Sequence, residues 1–332
     1  MEPSQRMMEL IVGSWAAQAV YAAVALGIPE RLGPDGAGSQ RLAEETGCAE
    51  PAVRRLMDYL TALEICSGDA ATGYRLTAFG EVLRPEVPGS VSAYAHLAGE
   101  EFHPVWGQIL HTLRTGGPAF AQVHGQDLYA YLGSNPQAGQ RFDAAMNVGH
   151  VLFEHIPQVY DFSAAAEVVD IGGGNGELLT AVLTRHPAVR GVLYEDPSTV
   201  ENARRYLDEH QVGERCETVG GNMFDSVPAG ADVYLLSRVL VNWNDAESAR
   251  ILAGCAAAMK DDSVLLIVER PQPEGAPSPI ASAVDMLMML VTSGGRSRPL
   301  HGFEALLGSA GLALRDDLEL PRGFRLLVAG RA

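Results

Sequence analysis

The sequence predicts a two-part chain: a mainly helical N-terminal domain with a winged helix-turn-helix, followed by a doubly wound α/β sheet. Three observations carry that reading. Four short apolar runs, "AEVVDIGGG", "GVLYED", "DVYLLSR" and "SVLLIVER", alternate with helix-patterned stretches over the second half. The first of these runs straight into three glycines, the signature of a tight strand-to-helix turn over a ligand. Residues 1–95 contain no such alternation and show helical spacing punctuated by Gly and Pro.

Length and composition agree with two folded parts. The chain has 332 residues, 47% of them apolar, enough to bury a large core. Its net charge of -17 argues against a phosphate-binding surface, because nucleic-acid affinity rests on Lys and Arg neutralising phosphates. Cys48, Cys66, Cys216 and Cys255 are scattered, with no CxxC pair and no His at zinc-ligand spacing. They read as reduced thiols of a cytoplasmic protein without a metal site. The apolar N-terminus is interrupted by Glu9, Ser14 and Gln18 and has no cleavage signal, so neither a leader peptide nor a membrane span is expected.

From Met7 to Leu26 the pattern is a helix apolar on nearly all sides, stopped by Gly27 and Pro29. Such a helix needs a cover, and a second subunit would supply it, which predicts a homodimer through the N-terminal domain. Ser39 caps a short helix that turns at Gly47. A second helix opens around Pro51 and carries Val53, Leu56, Met57, Leu60 and Leu63 on one face. A strand at Ile65, a Gly/Asp/Ala turn and "GYRLT" complete the wing. Two uses of this module stay open, a DNA-binding regulator and a dimerisation module. The acidic balance, with only Arg54 and Arg55 adjacent on the second helix, favours the latter.

Residues 96–160 read as a helical layer holding Trp106, Phe142, Met146 and His150, placed to line a substrate pocket. Residues 161–332 form the ligand domain. After "EVVDIGGGNGE" the next strand ends on Glu195, whose carboxylate can accept hydrogen bonds from both ribose hydroxyls. "GGNMFDSVP" places Asn222 and Met223 after the third strand, an amide and an apolar side chain for an adenine edge and face. The pattern is neither GxGxxG nor a Walker loop, so it suits an adenosine-bearing ligand without a pyrophosphate. "LRDDLEL" and "FRLLVAG", separated by a short turn, close the chain as an antiparallel hairpin.

"VVDIGGGNG", "YEDPSTV", "GGNMFDSVPAGADVYLLSRVL", "NWND", "GGRSR" and "FEALLGSAGL" occur in this order along the chain. Together they resemble the class I S-adenosylmethionine-dependent O-methyltransferases, the small-molecule group with an N-terminal winged-helix dimerisation domain. The style is that of actinobacterial natural-product tailoring enzymes, including the anthracycline branch with its O-methyltransferases and a hydroxylase. The resemblance implies a Rossmann-like methyltransferase sheet and S-adenosyl-L-methionine as cofactor. Its cofactor set falls on Asp170, Gly172, Gly174, Glu195, Asn222, Met223, Ser237 and Arg238, with Gly172 and Gly174 at the methionine part. Position 222 is usually Asp; Asn keeps an acceptor oxygen and loses the charge.

The resemblance also implies an aromatic small-molecule substrate, faced by Met146, Trp243, Asp285 and Met288. Plant-type members carry His-Asp-Trp at the base, flanked by two glutamates. Here Val241, Asn242 and Trp243 occupy the triplet, Glu269 matches the first glutamate, and Ser297 stands at the second. Val cannot accept a proton and Asn is not basic at neutral pH. The candidates that remain are Asn242 and Glu269 as polarising groups, and His150 or His301, or Glu269 if burial raises its pKa toward neutrality, as a substitute base. Three chemistries stay open: transfer by alignment to an already acidic acceptor, transfer with another base, or a non-methylating reaction such as hydroxylation, decarboxylation or a pericyclic step.

Overall fold

The computed structural model describes residues 2–146, 150–273, 275 and 278–332. They fall into two compact units, 1–107 with 134–148, and 108–133 with 149–332. The helical stretch 96–160 therefore contributes to both.

In the first unit the N-terminal helix spans Pro3–Ala25, and Gly27 ends it in the left-handed region, φ 61°. Met7, Met8, Leu10, Ile11 and Trp15 are exposed on it, and only Ala23 is buried. By length and composition this helix also passes as one able to cross a membrane. The helices Ser39–Thr46 and Glu50–Ala62 bury Leu42, Val53, Met57 and Leu60 around Tyr74. The wing is an antiparallel pair, β1 (Cys66–Asp69) and β2 (Gly73–Leu76). Ser39 is not the cap expected of it: Gly38 takes that position, and the Ser39 hydroxyl donates to Glu50 Oε1 at 2.7 Å. The two helices are thereby tied to each other. Helix Pro136–Met146 packs on Ser92–Leu97, and its Arg141 pairs with buried Glu101.

The second unit is built on a seven-stranded sheet. β3 (Glu167–Ile171), β4 (Arg190–Glu195), β5 (Cys216–Gly220), β6 (Val233–Ser237) and β7 (Val264–Glu269) are parallel. β8 (Leu312–Glu319) and β9 (Arg325–Arg331) add an antiparallel edge, giving the order β5-β4-β3-β6-β7-β9-β8. The two-residue period of a strand explains both faces at once. Tyr234, Leu236, Leu265 and Ile267 face the layer formed by helices Asp245–Ala258 and Leu300–Ser309, while Val233, Leu235, Leu266 and Val268 face helices Glu177–Arg185 and Val200–Glu209. Order reverses between β3 and β6. A crevice opens at such a switch point, above the carboxyl ends of the strands.

Candidate active site

Three segments meet at the ends of β3 and β4. Beyond Ile171 the chain turns through Gly172 and Gly174, at φ 67° and 59°, which residues with a Cβ rarely adopt. The Gly172 N–H donates to the Tyr194 carbonyl at 2.8 Å, stitching the turn to β4. The Gly174 N–H donates to Glu195 Oε2 at 2.9 Å, and the Asp196 N–H donates to Glu195 Oε1 at 2.8 Å. Backbone donors thus aim the Glu195 carboxylate, while burial raises its pKa.

Asn222 is exposed and its Oδ1 accepts from the Phe224 N–H at 3.0 Å, so it shapes its own turn. Met223 is half-buried, and a Cβ built on Gly172 would lie 3.7 Å from its Cε. Asp170 is fully buried at the end of β3, and neither carboxylate oxygen has a hydrogen-bond partner among the described residues. Burial, then the charge of Glu195, push its pKa up to about 7. The Ser237 hydroxyl is buried and likewise lacks a partner among them.

Arg238 follows β6 in a left-handed backbone, φ 56°, which costs a non-glycine residue about 1–2 kcal/mol. Its N–H donates to the Val268 carbonyl at 2.8 Å, and its guanidinium lies 4.9 Å from the centroid of the Phe153 ring. Three carboxyls, Glu177, Glu269 and Asp170, act on this cation electrostatically. Burial pushes Glu177 and Glu269 up to about 7 as well.

The segment Leu240–Asn242 is one short helical turn. The Val241 N–H donates to Glu269 Oε1 at 3.1 Å, and Asn242 Nδ2 donates to the Arg238 carbonyl at 3.0 Å. Trp243 stacks on Tyr129, with centroids 5.8 Å apart, and meets Phe224 edge-on at 4.7 Å. A capping box of Asn244 and Glu247 then starts the helix Asp245–Ala258.

Met288 and Asp285 are half-buried on helix Pro279–Val291, and Asp285 Oδ1 accepts from the Ser297 N–H at 2.7 Å. Met146 ends helix Pro136–Met146 in the first unit. The side chain of His150 lies outside the described residues, and His301 is exposed on helix Leu300–Ser309. Among the described residues no cluster of metal-ligating side chains forms. Sequence reasoning missed Tyr129, Phe224, Glu177 and Arg298. Glu177, Phe224 and Arg298 lie inside the quoted segments and Tyr129 outside them, but what sets each apart is a partner remote in the chain, which no local pattern encodes.

Fold and site together define a Rossmann-like chain whose candidate site lies above the switch point of a parallel sheet. Two family models match the chain: an O-methyltransferase domain over residues 106–313 and an O-methyltransferase dimerisation domain over 8–85. The chain belongs to the S-adenosylmethionine-dependent O-methyltransferase family. It is 38% identical to 3-amino-4-hydroxybenzoate 4-O-methyltransferase of Streptomyces cremeus, over 98% of this chain and 89% of that one. Aclacinomycin 10-hydroxylase of Streptomyces purpurascens is 35% identical, over 86% and 79% of the two chains. Among solved structures, mitomycin 7-O-methyltransferase superposes with a TM-score of 0.94 at 34% identity, over 99% of this chain and 98% of that one. An O-methyltransferase from neocarzinostatin biosynthesis, solved with S-adenosylmethionine and 2-hydroxy-5-methyl naphthoic acid, gives a TM-score of 0.85 at 28% identity over 96% of each chain.

Proposed function

We propose that this enzyme methylates an oxygen of an aromatic natural-product intermediate, and that the oxygen reaches the site ionised or strongly acidic. The observation that carries the reading is the triplet Val241, Asn242, Trp243, which has no proton acceptor. Its neighbouring carboxylate, Glu269, already takes the Val241 N–H at 3.1 Å.

The residues at the strand ends fit the family's cofactor. Ser237 Oγ and both oxygens of Asp170 have hydrogen-bonding capacity that nothing in the described chain uses. A cationic, polar ligand suits such groups, since an unsatisfied buried acceptor costs about 1–3 kcal/mol. Gly172 and Gly174 leave room beside them for the methionine part. Each oxygen of Glu195 retains acceptor capacity beyond its backbone donor, which suits two ribose hydroxyls. Asn222 and Met223 offer an amide and a thioether to the adenine, and Arg238 balances the surrounding carboxyls. When bound, S-adenosylmethionine supplies an electrophilic methyl on its sulfonium.

This chain's own part is to orient the acceptor. Trp243, stacked on Tyr129, presents an aromatic face to a planar substrate, with Met288 as apolar lining and Asp285 as a polar anchor. Asn242 and Glu269 position the acceptor oxygen, whose proton has already been released to solvent, so neither has to remove one. Orientation supplies up to about 7–11 kcal/mol of barrier reduction, enough to serve a good methyl donor and an anionic acceptor.

Methyl-labelled cofactor incubated with hydroxybenzoates and hydroxynaphthoates of graded acidity tests the reading. Label should enter the phenol oxygen, fastest for acceptors already ionised at the assay pH. Tight cofactor binding with no labelled product from any acceptor would overturn it. The kinship with a 10-hydroxylase makes a non-methylating reaction on the same fold the second reading, and that result would favour it.

A further inference from the structure

Arg298 belongs to none of the groups above, yet it is 4% exposed in the turn between helices Pro279–Val291 and Leu300–Ser309. Its guanidinium donates Nη1 to the Leu240 carbonyl at 2.7 Å and Nη2 to the Trp243 carbonyl at 2.7 Å. Nη2 also reaches Ser248 Oγ at 3.1 Å, Nε reaches Asp245 Oδ1 at 2.9 Å, and Nη1 lies 3.4 Å from the Arg296 carbonyl. The first two acceptors are the two ends of the segment that carries Val241 and Asn242.

The clamp is itself anchored. The Ser297 N–H donates to Asp285 Oδ1 at 2.7 Å, and the Arg298 carbonyl accepts from the Gln272 N–H at 2.8 Å, just beyond Glu269. Gly295 presses from behind: a Cβ there would lie 2.7 Å from the Val241 carbonyl oxygen and 2.8 Å from the Asn242 carbonyl carbon. A planar fork can hold two carbonyls, a hydroxyl and a carboxylate at fixed angles, whereas an ammonium offers one point of attachment.

We propose that Arg298 is a positioning residue for the transfer reaction: by gripping the Leu240 and Trp243 carbonyls it holds Asn242 and Trp243 where they meet the acceptor. The inference rests on the reading that this segment borders the acceptor. Arg298 also faces Glu269 together with Arg238, and both cations favour the ionised carboxylate.

Arg298→Lys and Arg298→Ala test it through kcat, the acceptor KM, cofactor affinity by calorimetry, thermal stability and amide hydrogen exchange. The expected result is a folded Lys variant that binds the cofactor within about twofold of the parent while kcat falls about 100-fold, the loss that misplacing reacting groups by ~1 Å can cause. Exchange should accelerate at residues 240–243, millimolar guanidinium should recover part of the Ala variant's kcat, and the acid limb of the pH profile should move upward. A Lys variant with parental kcat sinks the role of Arg298 while leaving the acceptor reading intact. Proportional losses of stability, cofactor affinity and kcat in both variants reduce Arg298 to a structural residue and also overturn the proposal. A wild-type enzyme inactive on every acceptor sinks the acceptor reading first, and the proposal with it.

Discussion

Val241 has its backbone fixed by Glu269 while its side chain offers no basicity, so the position is a prepared mount for a base. Val241→His should raise kcat/KM by at least about 10-fold on a weakly acidic phenol, since a placed general base contributes roughly 10²–10⁴. The same change should leave an ionised acceptor nearly unaffected. Measuring rate against acceptor pKa for both proteins checks this, and parallel lines would mean that missing basicity was never the limitation. Glu195 permits a sharper substitution. Both of its oxygens accept backbone N–H groups, so in Glu195→Gln the amide nitrogen must face a donor. Cofactor Kd by calorimetry should rise about 10–100-fold, from a cost near 1–3 kcal/mol, with kcat at saturation changed much less. Unchanged affinity would remove Glu195 from the cofactor set. Glu195 and the glycine turn were legible in the sequence because a local motif fixes their geometry. Arg298 was not, because its partners Leu240, Trp243 and Ser248 lie far away in the chain.

Elements gather charge here in a way no single residue reveals. The end of β3 brings Asp170, the end of β7 brings Glu269, and the start of helix Glu177–Arg185 brings Glu177, all acting on the one cation that follows β6. Burial first, in each case, pushes the three carboxyls up to about 7. Their folded values exceed the unfolded ones, so the folded state holds extra protons between roughly pH 4 and 7. Their contribution to stability is greatest below pH 4, is lost as pH rises to about 7, and is flat above. On the acid side, hydrogen bonds hold Asp69, Asp161 and Asp232 below their usual values, so these groups lose stability only as pH falls below about 4. The melting temperature of the ligand-free enzyme should therefore fall from pH 5 to pH 8. Growing negative charge pushes the same way, so the comparison with Asp170→Asn isolates the buried group. That variant should show a shallower slope, the rise of Asp170 by about three pH units being worth roughly 4 kcal/mol at most. Equal slopes in thermal scans would show that Asp170 is not titrating in this window. The strands themselves were legible, since "EVVDI", "GVLYE" and "VLLIVE" are apolar on both faces. The closing hairpin was read correctly as a hairpin, but its docking on β7 through β9 is a long-range pairing that no local pattern encodes.

At the scale of the molecule, the onset of the strand-and-helix alternation after residue 160 followed from the change in hydrophobic pattern. The assignment of 108–133 and 134–148 to different units did not, because both stretches are simply helical in pattern. What the sequence announced most clearly was an apolar N-terminal helix in need of a cover, and the dimerisation-domain model begins within it at residue 8. Met7, Met8, Leu10, Ile11 and Trp15 stay exposed on that helix in the single chain, each from 58% to 69%. Burying a large apolar side chain is worth about 1.5–3 kcal/mol, so replacing two of them removes roughly 3–6 kcal/mol per subunit from an association that depends on this face. A charge adds a further penalty at an interface that excludes water. The double substitution Ile11→Asp and Trp15→Asp should therefore convert a dimer into a monomer at micromolar concentration, read by size-exclusion chromatography with light scattering. Far-ultraviolet circular dichroism close to that of the parent would show that the fold survives. A doubly substituted protein that still elutes as a dimer would move the interface elsewhere on the subunit. A parent protein that is already monomeric at that concentration would mean that the exposed face serves something other than a second copy.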